Sequence, residues 1–115
     1  MKSQTIIKKI IGLIQYKKGY DIKIIDLRGI SSLTDYFIIC SSDSDPQTRA
    51  ITNNIKKELS RVKIKPFQVE GLEHMEWILM DYFDIVVHVF KKETREYYDI
   101  ERLWADAKIK TIKND

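Results

Sequence analysis

The side chains best suited to bond-making chemistry in this 115-residue sequence are Cys40, His74, His88 and the carboxylates Asp35, Glu70, Asp81 and Asp84. A cysteine beside a histidine can act as a thiolate nucleophile if the thiol is accessible and the imidazole is within reach. Cys40 lies inside the apolar run that begins at Tyr36, which argues for an inert, buried thiol. Zinc sites draw on several nitrogen and sulfur ligands, and one thiol with two separated histidines falls short of such a set. Asp81 and Asp84 flank a tight turn, where two carboxylates either hold a divalent cation or simply mark a solvent-facing hairpin end. The loop Ser41-Ser42-Asp43-Ser44-Asp45 precedes a helix start, a place where backbone amides attract phosphate. It has no glycine to let the backbone close around an anion, and its two aspartates repel one. The chain also lacks a dinucleotide fingerprint and a phosphate-loop lysine. No catalytic, metal or cofactor-binding residue is assigned.

What remains is recognition by surface. Trp77, Leu79 and Asp81 alternate with Ile78 and Met80, and Asp84, Val86, His88 and Phe90 alternate with Ile85, Val87 and Val89. A two-residue turn at Tyr82-Phe83 would set Asp81 opposite Asp84, Leu79 opposite Val86 and Trp77 opposite His88. One face of this hairpin (Ile78, Met80, Ile85, Val87, Val89) is wholly apolar and is expected in the core. The other is a mixed strip of aromatic, aliphatic and polar groups. A helix of the same chain, the one beginning near Asp99 with Trp104, can cover such a strip. It can equally anchor a partner, since aromatics in mixed patches are typical hot spots. The residues alone leave both readings open.

The elements that position the strip follow from periodicity. Ile6, Ile7, Ile10, Ile11 and Ile14 line one face of a helix over residues 3–18, with Gly19 as its stop. Residues 21–27 predict a strand, and Tyr36 to Ser41 a second one rich in aromatic and branched residues. Asp45-Pro46 predicts a helix N-cap and first turn, with the helix running to about Ser60 and burying Ala50, Ile51, Ile55 and Leu59. A short strand is expected over 67–70 before the turn at Gly71. Asp99 is expected to cap a last helix, 100–107, with Ile100, Leu103 and Trp104 on its apolar side. The tail 108–115 is basic and expected to fray. Together these predict one α/β domain over residues 1–107, a mixed sheet of about five strands with flanking helices.

Composition supports an ordinary globular chain, 43% hydrophobic and 32% charged. One cysteine excludes an internal disulfide framework and fits a reducing compartment. No stretch reaches the roughly 18 apolar residues of a membrane span, and the start is read as mature protein without a targeting segment. The formal net charge of +3 is uneven: residues 1–20 carry five lysines and no acid, leaving 15 basic and 17 acidic groups for the rest. Such a lysine-rich start is either a solubilising helix face or a feature that steers the chain to phosphate-rich surroundings.

Four blocks of the sequence resemble the ribosomal silencing factor, or Iojap, family. The likeness runs through Asp26 and Ser31 to Ile39, resumes at Gln47 and Arg49-Ala50-Ile51, and is strongest in Glu70-Gly71, Trp77 to Asp81 and Asp84 to Phe90. It closes with Arg95 and Tyr97 to Trp104. With the first helix it covers roughly residues 4–107. The resemblance implies a fold like that of the nucleotidyltransferases without their catalytic apparatus, hence no enzyme and no cofactor. It also implies binding to the large-subunit protein conventionally numbered fourteen, which blocks joining of the small subunit and represses translation under nutrient limitation. Homodimers off the ribosome and a bacterial, cytoplasmic setting follow from the same likeness, with no membrane or DNA partner. Trp77, Asp81 and His88, with Glu70 and Tyr98 nearby, fall in its signature blocks and are the expected partner-binding residues.

Two alternatives stand beside this reading. One is an RNA-binding module that touches ribosomal RNA through the lysines of residues 1–20 and through Lys108, Lys110 and Lys113. The other is a residual nucleotidyltransferase. The chain also departs from the family pattern. Ser42 stands where glycine is usual, Pro46 where a basic residue is frequent, and Phe83 where the hairpin turn usually has glycine. Phe83 resists a left-handed backbone, so a longer turn or one of another type is expected.

Overall fold

The computed structural model describes residues 2–113. The chain runs α1 (Ser3–Tyr16), β1 (Tyr20–Asp26), β2 (Tyr36–Ser42), α2 (Asp45–Arg61), β3 (Gln68–Glu70), β4 (Trp77–Asp81), β5 (Ile85–Lys91), α3 (Lys92–Tyr98), α4 (Ile100–Leu103) and β6 (Lys108–Thr111). The strands form one mixed six-stranded sheet in the order β3-β4-β5-β2-β1-β6. Only β2 and β5 pair in parallel; every other neighbour is antiparallel. The α/β class and the mixed sheet agree with expectation. The sixth strand does not.

That strand is the segment expected to fray. Lys108 to Thr111 pair with Asp26 to Lys23 of β1, and the Ile112 amide donates to the Ile22 carbonyl. The lysines that suggested a loose tail are compatible with an edge strand, where charge faces water and discourages further pairing. Residues 114–115 of the expected tail lie outside the described residues.

α1 and α2 cover one face of the sheet. Ile7, Ile10 and Ile14 of α1 and Ile51, Ile55 and Leu59 of α2 are buried against Ile22, Ile38, Ile78, Met80, Val87 and Val89. Ala50 is only half-buried. The α2 cap is Ser44, one residue before the Asp45 expected from sequence, and its Oγ accepts from the Gln47 amide at 3.2 Å. Asp45 therefore sits inside the first turn, where a negative charge suits the helix dipole.

The second face carries Ile25, Leu27, Ile39, Phe90 and Ile100 as a smaller core, flanked by Phe37, Trp77, Trp104 and Ala107. α3 and α4 lie on this side. α3 was not anticipated, because its buried residue is a cation rather than an apolar stripe. Arg95 donates to Glu101 Oε1 at 2.7 Å, to the Asp21 carbonyl at 2.6 Å and to Ser41 Oγ at 2.9 Å. α4 ends at Leu103 rather than at 107, and Leu103 is exposed. Asp99 makes no side-chain cap; with φ 44° it turns the chain between α3 and α4.

Candidate docking surface

The hairpin that carries the strip closes differently from expectation. Tyr82 pairs with Ile85, its amide donating to the Ile85 carbonyl at 2.8 Å, so Phe83 and Asp84 form the loop. Asp81 then faces Val86, Leu79 faces His88, and Trp77 faces Phe90. The register is displaced by two residues, not one. Side chains alternate with a period of two, so the face assignments survive the displacement. Phe83 adopts φ 71°, the left-handed conformation it was expected to resist. Asp81 Oδ1 accepts from the Phe83 amide at 2.8 Å, and the Phe83 ring packs on Phe67 at 4.9 Å between centroids. These contacts hold a turn that glycine would adopt without strain.

Parallel pairing brings β2 into the same surface. Phe37, Ile39 and Ser41 lie beside Val86, His88 and Phe90, and β3 adds Gln68 and Glu70 beside Asp81 and Leu79. Gly71 holds the approach to β4: with φ 92°, a Cβ there would come within 2.0 Å of the Trp77 carbonyl oxygen. Any side chain at this position would push the start of β4 out of line.

Trp77 is half-buried. Its ring stacks on Phe90 at 4.7 Å and packs on Tyr98 at 5.2 Å, and its Nε1 donates to His88 Nδ1 at 3.0 Å. Its immediate cover is thus Tyr98 of α3, while Trp104 packs instead against Phe37 at 5.9 Å. Tyr98 itself is 53% exposed. His88 is only 3% exposed, and burial pushes its imidazole down to about 4. It supports Trp77 from beneath as a neutral ring. Glu70 is exposed, and Asp81 is half-buried with one oxygen engaged by the turn. The structure therefore brings His88 and Tyr98 each against Trp77 and sets Glu70 and Asp81 beside Leu79 and Val86.

Three neighbours were not foreseen. Phe37 packs edge-on against His88 at 4.5 Å, Leu33 is 90% exposed at the margin of the same surface, and Tyr97 lies edge-on to Tyr98 at 5.0 Å. The alternation of Tyr36 to Ser41 carried the signal for Phe37, but only the parallel register assigns its face.

The reactive candidates are dispersed. Cys40 pairs with Val89 and points into the closed core, whereas His88 points to the opposite face, so the sheet separates thiol from imidazole. Burial pushes the Cys40 thiol up to about 12. Asp43 accepts from the Tyr20 hydroxyl, and Asp45 pairs with Lys91 Nζ at 2.7 Å. Among the described residues, no three His, Cys, Asp or Glu side chains converge on a possible metal position. Also among them, no helix is long and apolar enough to cross a membrane.

Comparison with known proteins adds a consistent picture. The family model described as ribosomal silencing factor during starvation matches residues 1–115. The ribosomal silencing factor of Bacillus subtilis is 40% identical over 107 residues, covering 93% of this chain and 91% of that protein. A mouse protein named for mitochondrial assembly of the ribosomal large subunit is 30% identical over 101 residues, covering 85% of this chain and 44% of its own length. A crystal structure of a Chromobacterium violaceum protein superposes with a TM-score of 0.88 at 35% identity, over 99% of this chain and 95% of that one. The family is described by a regulatory role rather than a reaction. By sequence over its whole length and by fold, this chain belongs to the family of ribosomal silencing factors that act during starvation.

Proposed function

We propose that this chain docks on the large ribosomal subunit through the open half of its sheet face, on the protein conventionally numbered fourteen. In doing so it blocks the small subunit from joining and lowers translation under nutrient limitation. The observation that carries this reading is the aromatic step formed by Trp77, Tyr98 and Tyr97, with the carboxylates Glu70 and Asp81 further along the same sheet face on β3 and β4. A tryptophan backed by Phe90 and His88 offers large contact area with few rotors left to freeze. Exposed carboxylates suit the basic groups common on ribosomal proteins. The name of the mouse relative points the same way, towards the large subunit. A cytoplasmic setting, contact with adjacent ribosomal RNA and a relation to nucleotidyltransferase folds without their chemistry belong to the same proposal.

In the free state the exposed apolar residues Leu33, Tyr97 and Leu103 favour a homodimer. Light scattering at micromolar concentration reads this directly, and a monomeric mass throughout discards it. The docking proposal is tested by adding wild type and Trp77→Ala to purified subunits and following their joining by light scattering. Wild type should suppress joining and the variant should not. Suppression by a folded Trp77→Ala protein would remove Trp77 from the contact. An affinity for large subunits that falls steeply with salt and ignores Trp77 would favour the RNA-binding alternative through the N-terminal lysines.

A further inference from the structure

Beside the aromatic step lies a cavity of about 280 Å³. Phe37, Leu79, Val86 and Trp104 give it apolar walls, and Glu70 and Asp81 contribute carboxylates. Two buried polar side chains also line it, Thr34 at 8% exposure and His88 at 3%. Among the described residues, three buried side-chain polar atoms have no hydrogen-bond partner: Thr34 Oγ1, His88 Nε2 and Tyr82 Oη. Two of the three thus belong to residues lining this one cavity. Buried polar atoms are nearly always paired, and a residual pair at one place asks for an explanation.

The protonation of His88 fixes what is wanted there. Trp77 donates to Nδ1, so Nδ1 is an acceptor. Burial keeps the ring neutral, so the single ring proton sits on Nε2, an unmet donor. Thr34 can donate or accept. An incoming group must therefore accept a hydrogen bond and carry a body that suits apolar walls. It must be uncharged or positive overall, because Glu70 and Asp81 oppose an anion. The volume falls just below the roughly 300–1,000 Å³ of small-molecule sites, and suits an inserted side chain with its peptide link.

We infer that this cavity is the specificity pocket of the docking face and receives an amide carbonyl from a partner protein segment whose neighbouring residues are basic. The inference rests on the docking reading and deepens it. Nε2 and Thr34 Oγ1 are themselves closed to solvent, so an acceptor reaches Nε2 only when the cavity wall shifts, and the hydrogen bond it then makes is one the free protein lacks. The carboxylates beside the pocket select basic flanks and reject nucleic-acid phosphate. His88 thus has two tasks on one ring, holding Trp77 through Nδ1 and addressing the partner through Nε2.

Three substitutions separate these tasks. Thr34→Val removes a hydroxyl at nearly constant shape. His88→Asn puts an amide oxygen where Nδ1 accepts from Trp77 and removes the pocket donor. His88→Gln restores an N–H near the position of Nε2 and gives up the Trp77 bond. Co-sedimentation with purified large subunits should show Thr34→Val and His88→Asn binding about tenfold more weakly than wild type, with His88→Gln less affected. Urea midpoints of the free Thr34→Val protein should equal or exceed wild type, since a buried orphan has been removed; a purely structural role would lower the midpoint and leave affinity alone. Wild-type affinity in both Thr34→Val and His88→Asn, with binding lost in Trp77→Ala, would overturn the pocket and leave the docking face standing. Lack of wild-type sedimentation with large subunits would overturn the docking reading itself. The pocket is checked independently by titrating ¹⁵N-labelled protein with N-methylacetamide. A saturable shift at His88 Nε2, lost in His88→Asn, supports the carbonyl site. An unresponsive Nε2, or one held by a single trapped water, overturns it. Binding of protein-free ribosomal RNA that is weakened by the same variants would overturn the partner class.

Discussion

The two faces of the sheet are built from the same strands and obey different rules. The face under α1 and α2 is mainly aliphatic, with Tyr36 and Tyr82 towards one end, and long helices seal it with isoleucines at helical spacing. The face under α3 and α4 has a smaller aliphatic core flanked by aromatic and polar side chains, and its helices are seven and four residues long. A seven-residue helix is too short to hold itself together by backbone bonding. α3 is held instead by the Arg95 bonds to Asp21, Ser41 and Glu101. The sealed face stores the stability of the domain. The other face leaves surface for contacts that a partner can extend, and under the proposed function this division lets one six-stranded sheet be both core and docking platform.

The comparison breaks most sharply with a charge on the sealed side. Val87→Asp places a carboxylate among fully buried aliphatic groups with no partner, and such a charge costs several kcal/mol, comparable to the whole stability of a domain this size. The protein should lose its cooperative urea transition by circular dichroism. A folded Val87→Asp protein would mean the sealed face is not the main store of stability.

Acid should act through the other face. His88 is held near 4 in the folded state against an ordinary 6.5, so the unfolded chain takes up a proton that the folded one refuses. Stability is then fully present above about 6.5 and falls as pH drops towards 4, by about 3 kcal/mol in all. Asp26 and Glu76, whose carboxyls are held low by Arg28 and by Thr94 and Lys91, lose their contributions only below their ordinary values of 3.8 and 4.5, at or beneath the lower end of that window. Urea midpoints at pH 7 and 5 should differ in wild type, and His88→Leu should remove most of the difference. A wild-type midpoint that stays flat over that interval would contradict a neutral, buried His88.

Trp77→Ala sharpens the division between folding and docking. The indole is half-buried, so its loss should cost about 1–3 kcal/mol of stability, including the bond to His88. Affinity for the large subunit should fall at least about thirtyfold, as at a hot spot. Parallel urea and co-sedimentation measurements give the two numbers. A large stability loss with unchanged affinity would turn Trp77 into ordinary core.

The smallest effect is expected at the hairpin tip. Phe83→Gly relieves a left-handed backbone at φ 71° but gives up the Phe67 contact and adds chain entropy to the unfolded state. The first stabilises and the other two destabilise, each by about 1 kcal/mol, so the net loss of stability should be no more than about 1 kcal/mol, read from urea unfolding.

Periodicity made the sealed face readable in advance. The isoleucines of α1, the branched run of β2 and the alternation of β4 and β5 repeat at intervals that secondary structure imposes. The proposed docking face was half-visible. Alternation placed Trp77, Asp81 and His88 on one side, but the register was displaced because Asp81 and Phe67 stabilise a turn at Phe83 that local preference disfavours. α3 gave no signal because Arg95 is its anchor, and a buried cation is invisible to hydrophobic patterning. β6 was missed because its lysines look like a tail until β1 is there to pair with them. Thr34 and the unmet Nε2 of His88 arise only from three-dimensional juxtaposition across strands.

The parallel join of β2 and β5 has a consequence for when the molecule becomes competent. Ser42 and Phe90, 48 positions apart in sequence, meet across it, and loop closure over such a span comes late and cooperatively in folding. β5 carries Val87 and Val89 to one side and His88 and Phe90 to the other, so the sealed core and the proposed docking face depend on the same join. A nascent or partly unfolded chain has no half-formed grip to offer a ribosome. Under the proposed function, competence to bind therefore tracks the fully folded population alone.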